Sequence, residues 1–176
     1  LIGRGVFAYF SDAESSTNNQ LIAGTLDLKT NDADGVAQIL CATNMKPGDS
    51  VGPGTIALKN TGTVDASALD IVFSYVECDG TNPPEYPANK TADEFADELL
   101  VTTLNYGDTN LLSEIADSDG DGVDMREAAA ADLTGLAGIN AQTTKDFTIA
   151  VHLKASMGND FQADGITVTI GFTLKQ

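Results

Sequence analysis

Apolar residues recur at every second position in three long stretches of the chain. Leu69, Ile71, Phe73 and Tyr75 share one face, with Asp70, Val72 and Ser74 on the other. Phe147, Ile149, Val151 and Leu153 alternate with Thr148, Ala150, His152 and Lys154. Ile166, Val168, Ile170, Phe172 and Leu174 alternate with Thr167, Thr169, Gly171, Thr173 and Lys175. A period of two belongs to strands that turn one face to a core. Shorter strands are predicted at 25–28 and 55–59. Turn signals separate them, at Lys46-Pro47-Gly48-Asp49 and Asn60-Thr61-Gly62. Several alternating strands with Gly and Pro punctuation predict a mainly β fold, an antiparallel β-sandwich.

The middle of the chain follows another pattern. Thr91-Ala92-Asp93-Glu94 has the form of a capping box at a helix start. Phe95, Leu99 and Leu100 then fall on one helical face, which predicts a helix over 91–104. Leu111-Leu112-Ser113-Glu114-Ile115 suits a helical turn or two, and the alanine-rich run from Glu127 to Leu133 favours a further helix. The expectation is a helical insertion at about 91–135 in a strand-rich framework.

The first ten residues alternate as well. Ile2, Arg4, Val6, Ala8 and Phe10 lie on one side, and Leu1, Gly3, Gly5, Phe7 and Tyr9 on the other. An apolar strand at a chain terminus must bury its side chains and pair its backbone, or it templates aggregation. It can be the first strand of its own sandwich or the remnant of a signal peptide. It can also enter the sheet of a neighbouring copy. A strand exchanged head to tail is a heterologous contact, and such contacts build open filaments. The organisation expected is a donor strand at 1–12 and one sandwich domain over 13–176.

Charge narrows the partners. The 176 residues carry 9 basic and 26 acidic side chains, a formal net charge of −17. So acidic a surface repels nucleic acid and anionic lipid and favours divalent cations. No apolar run approaches the roughly 20 residues that a membrane helix needs. The chain begins at Leu1 without a methionine, as expected after cleavage of a leader. Cys41 and Cys78 fit one disulfide in an oxidising compartment, worth about 4 kcal/mol by loop entropy. The alternative is two buried thiols. Asn89-Lys90-Thr91 is a glycosylation sequon, a triplet common by chance.

Several segments resemble the TasA/camelysin-like family. They are Ala8-Tyr9-Phe10-Ser11-Asp12, followed by Ala23-Gly24-Thr25-Leu26-Asp27-Leu28-Lys29. The stretches 46–50 and 59–66 and the ending Gly165–Gln176 are similar to the family too. The resemblance touches both ends and the first half of the chain. It implies a jelly-roll-like sandwich with inserted helices, export to the cell surface, and a role as a biofilm-matrix or surface fibre. It further implies that the N-terminal strand of one subunit completes the sheet of the next. Carried to this chain, the donor is Ile2, Arg4, Val6, Phe7, Ala8, Tyr9 and Phe10. Partners would be other copies of the chain, head to tail, and neighbouring filaments in bundles. The seven residues before Ala8 resemble archaeal bundling-pilus relatives more than bacterial members.

One motif carries metal chemistry. Asp117-Ser118-Asp119-Gly120-Asp121-Gly122-Val123 places carboxylates at positions 1, 3 and 5 of a calcium loop and glycine at position 6. The Val123 carbonyl would be the ligand at position 7. Ala128 stands where a bidentate acid belongs, and either Glu127, one residue early, or nearby Asp124 would serve in its place. The predicted structural Ca2+ ligands are Asp117, Asp119, Asp121, Val123 and Glu127; the alternative is an acidic turn capping a helix near Asp124. Asn31-Asp32-Ala33-Asp34-Gly35 suits a turn.

Catalysis finds little support. Camelysin-like members are classed as metallopeptidases, yet His152 is the only histidine and no His-Glu-x-x-His pair exists for zinc. No Gly-x-Ser-x-Gly turn accompanies a nucleophile. The expected function is a non-enzymatic filament subunit, with a monomeric adhesion or matrix-binding module as the alternative and a secreted metallopeptidase as the third.

Overall fold

A computed structural model of the protein describes residues 21–23, 28–30, 45–78, 90–158, 161 and 164–176. These residues build two sheets. The first holds β1 (Leu21–Ala23), β9 (Ile166–Lys175), β4 (Ala68–Glu77) and β7 (Leu133–Ala137), in that order. The second holds β2 (Leu28–Thr30), β3 (Ser50–Asn60), β8 (Thr144–Leu153), β5 (Leu99–Tyr106) and β6 (Thr109–Asn110), in that order. Every pairing is antiparallel except β1 with β9, which is parallel.

The alternation read from the sequence decides what faces inward. Along β9 buried and half-buried residues alternate without a break, from Ile166 to Lys175. Ile71 and Phe73 of β4, Phe172 of β9 and Ile56 and Phe147 of the other sheet meet in one core. Phe147 joins the two layers, its ring centre 5.0 Å from Phe172 and 6.5 Å from Phe73. Val72 and Val76 lie on the outer face of β4 and are exposed.

The turns obey their residue chemistry. Gly48 takes φ +88°, the left-handed geometry of the third position of a type II turn after Pro47, and the Asp49 N–H bonds the Lys46 carbonyl at 2.9 Å. Asn60 is buried yet fully used. Its Nδ2 donates to the carbonyls of Val64 and Ile139, both at 2.9 Å, and its Oδ1 accepts from Gly62 N–H. A backbone that would otherwise leave buried groups unpaired is satisfied by one amide.

The predicted helical insertion is corrected. The capping box at Thr91 and Glu94 is present, but α1 spans only Ala92–Asp97. From Leu99 the chain is a strand, and β5 lies inside the second sheet, beside β8. Its buried residues, Leu99, Val101, Leu104 and Tyr106, are spaced by two, three and two, because a register shift falls between Val101 and Thr103. That irregularity hides the strand period and lets Leu99 and Leu100 pass for a helical face. The segment 111–115 holds a single 3₁₀ turn, Leu112–Glu114. The alanine-rich helix, α2, is Met125–Ala130, and Leu133 already belongs to β7. The stretch 91–135 is thus two short helices woven between strands. α1 and α2 pack on each other and on β4 and β5. Tyr75 of β4 fastens the group, its hydroxyl donating to Asp93 at 2.8 Å.

Candidate functional site

The acidic loop between the 3₁₀ turn and α2 organises itself around glycines and side-chain caps. Gly120 and Gly122 take φ +85° and +113°, values that favour glycine and let the loop fold back. Asp117 accepts from both backbones, Gly120 N–H at 2.7 Å and Gly122 N–H at 3.1 Å. Asp124 caps α2, its Oδ1 accepting from Glu127 N–H at 2.8 Å, while Glu127 Oε2 accepts from Asp124 N–H at 3.3 Å. Sequence reasoning anticipates a helix cap near Asp124, and the reciprocal capping box with Glu127 supplies it.

The predicted calcium ligands separate into two sets. Asp117, Asp119 and Glu127 come together, with one oxygen of each within 4.8 Å of the others. Asp121 turns away, to Lys154 Nζ at 2.7 Å. The Val123 carbonyl accepts from Val101 N–H at 2.8 Å, stitching the loop to β5. Ser118 approaches Glu127 Oε1 with both its N–H and its hydroxyl at 2.5 Å.

A third group adjoins them, and of its members only Asp97 is invisible in the sequence. Asp97, at the end of α1, lies with Asp119 and Asp124 so that one carboxylate oxygen of each is within 4.8 Å of the others. Asp124 is fully buried, and its Oδ2 has no hydrogen-bond partner among the described residues. Arg126, about half exposed, meets Asp97 Oδ1 at 2.5 Å. Sequence reasoning misses Asp97 because the helical pattern runs on to 104 and gives position 97 no reason to face the loop. The signal that could have found it is the strand character of 99–106, which ends the helix at Asp97.

Electrostatics follow this geometry. Burial, followed by the nearby negative charges of Glu127 and Asp97, pushes the Asp124 carboxyl up to about 6, against the opposing bond from Glu127 N–H. Burial also raises Glu127, but the Ser118 bonds outweigh it and hold that carboxyl below its usual range. Lys154 holds Asp121 low, first through their hydrogen bond.

These oxygen-only groups do not suit a catalytic zinc centre, which takes nitrogen or sulfur donors with an open position. His152 sits on β8 with Nδ1 2.9 Å from the Ser50 hydroxyl, and among the described residues no cluster of three candidate ligands includes it. Cys78, just past the end of β4, is exposed and forms no disulfide among the described residues. Cys41, the predicted donor residues 1–12, Asn89 and the 31–35 turn all lie outside the described residues.

A second feature is an edge of the first sheet. β9 is covered by β4 along its whole length on one side. On the other, β1 pairs only with Val168, Thr169 and Ile170. Among the described residues no strand pairs with Gly171, Phe172, Thr173 and Leu174 on that side. Among the described residues, no helix is long and apolar enough to cross a membrane.

No curated protein matches the chain. The family model described as Camelysin metallo-endopeptidase, Peptidase_M73, matches residues 1–176, and the chain belongs to that family.

Proposed function

We propose that the protein is a structural subunit of an extracellular filament, exported to the cell surface and joined head to tail through its N-terminal strand. The observation that carries this reading is the half-covered outer edge of β9, where Gly171 to Leu174 meet no strand among the described residues. An uninterrupted edge invites main-chain pairing with another chain. The corresponding stretch of β3 carries Pro53 and a register break between Val51 and Gly54, devices that blunt an edge. β9 has neither, and its inward side chains already fill the core. The segment from Val6 to Phe10, with Val6, Ala8 and Phe10 as anchors, is of comparable length to the open stretch. A strand offered by one copy and accepted by the next makes a contact that does not close on itself.

The test is a chain lacking residues 1–10. Negative-stain images of the full chain should show filaments, and the truncated chain should elute as a folded monomer. Robust fibres from the truncated chain would defeat the reading. A full-length chain that stays monomeric would instead support the matrix-binding module.

The family description favours a second reading, a secreted metallopeptidase. One histidine in the whole chain and all-carboxylate clusters oppose it. Casein digestion that stops on adding a chelator, by protein purified free of contaminating proteases, would establish it. The filament reading expects no digestion.

A further inference from the structure

We propose that Asp97, Asp119 and Asp124 hold a hard divalent cation of the calcium class, and that this ion ties the end of α1 to the start of α2. The inference is independent of polymerisation.

Hydrogen-bond bookkeeping selects this group over its neighbour. In the Asp117–Asp119–Glu127 cluster both oxygens of Asp117 accept from glycine N–H groups, and both oxygens of Glu127 accept from Ser118 and Asp124. Those carboxylates are already satisfied by the protein. In the Asp97–Asp119–Asp124 group the balance is different. Asp124 spends Oδ1 on its helix cap and leaves Oδ2 buried with no donor among the described residues. A buried carboxylate oxygen without a partner is costly, and native structures rarely leave one so. One carboxylate oxygen each of Asp97 and Asp119 lies within 4.8 Å of an Asp124 oxygen, and such oxygens repel one another unless a cation lies between them.

The charges facing the group leave room for that cation. Arg126 brings one positive charge, to Asp97 Oδ1, from a half-exposed position. Lys154 is engaged by Asp121. Asp117 and Glu127 group with Asp119, and Glu127 also adjoins Asp124 through the capping box, so both add negative charge. Three carboxylates therefore face one guanidinium. Oxygen-only ligands select calcium, magnesium or manganese over zinc. Asp119 is exposed, so water can complete the six to eight oxygens that calcium takes. The loop shape read from the sequence supplies Asp119. The other two ligands come from the ends of two helices that only the fold brings together.

The experiment is calorimetric titration of the chelator-stripped full chain with calcium chloride and, separately, magnesium chloride, together with melting curves in calcium or chelator. Calcium is expected to bind and raise the melting temperature. Asp124→Asn keeps the capping oxygen and removes the charge; Asp97→Asn removes a ligand at the more exposed helix end. Each should weaken calcium binding by about tenfold or more, at least the loss seen when a supporting group is removed. Asp117→Asn should change it by less than either. No calcium binding at about 1 mM, the weak end for extracellular modules, would overturn the proposal. So would a loss that follows Asp117→Asn and Glu127→Gln while Asp97→Asn binds normally. If Asp124→Asn fails to fold, Asp97→Asn decides.

Discussion

Single side chains hold the joints of this sandwich, and their substitution gives measurable outcomes. Asn60 satisfies two carbonyls and one N–H in a buried turn. Asn60→Ala should cost about 1–3 kcal/mol in chemical denaturation, because it strands buried polar groups. Gly138 offers a steric counterpart. A Cβ there would lie 2.0 Å from the Ala66 carbonyl oxygen, so Gly138→Ala must push two backbone segments apart and should destabilise by about 1–3 kcal/mol. Tyr75 gives a pH-dependent prediction. Burial, then its bond to the Asp93 carboxylate, pushes the phenol up to about 12. A folded value above the ordinary one means that the neutral phenol is favoured by the fold. That stability is fully present below pH 10 and is lost as pH rises through about 12. Burial raises the Tyr106 phenol as well, so alkaline absorbance titration should show two tyrosines ionising late, and Tyr75→Phe should cut that late absorbance by one tyrosine. A late step of undiminished size in the variant would reject the assignment.

At the scale of elements, the strands were legible where the alternation runs unbroken. β4, β8 and β9 stand where Leu69–Tyr75, Phe147–Leu153 and Ile166–Leu174 place them. The caps at Thr91 and near Asp124 were legible too, because capping chemistry is local. β5 was not. Its bulge breaks the period of two, and the capping box before it argues for a longer helix than the packing allows. Tertiary pairing with β8 decides the matter, as sheets commonly override local preference. The candidate site was half legible for the same reason. Asp117, Asp119 and Glu127 are close in sequence and meet in space, whereas Asp97 reaches the loop only because α1 stops where β5 begins. Thr91→Ala tests this short helix on its own. It should cost about 1 kcal/mol and leave the sheets intact by far-ultraviolet circular dichroism, since the cap serves α1 alone.

For the whole molecule, two facts set the terms: a core shared by both sheets and a formal net charge of −17. Phe147 touches rings from the opposite sheet, so Phe147→Ala should cost about 3–5 kcal/mol and loosen both layers together. The charge keeps copies apart at low ionic strength. Head-to-tail growth by strand exchange relies on backbone pairing and should persist, but lateral bundling has to overcome repulsion between like surfaces. Raising salt from about 0.01 M to about 1 M shortens the screening length from about 30 Å to about 3 Å. Bundles should therefore thicken with salt while filament length changes little, as light scattering and microscopy would show. The central claim concerns where the first strand goes, and an image of the assembly addresses it most directly. A cryo-electron microscopy map of the full chain should show Val6–Phe10 of one copy hydrogen-bonded along Gly171–Leu174 of β9 in the next. A map, or a monomer structure, with that strand paired inside its own subunit would contradict the account.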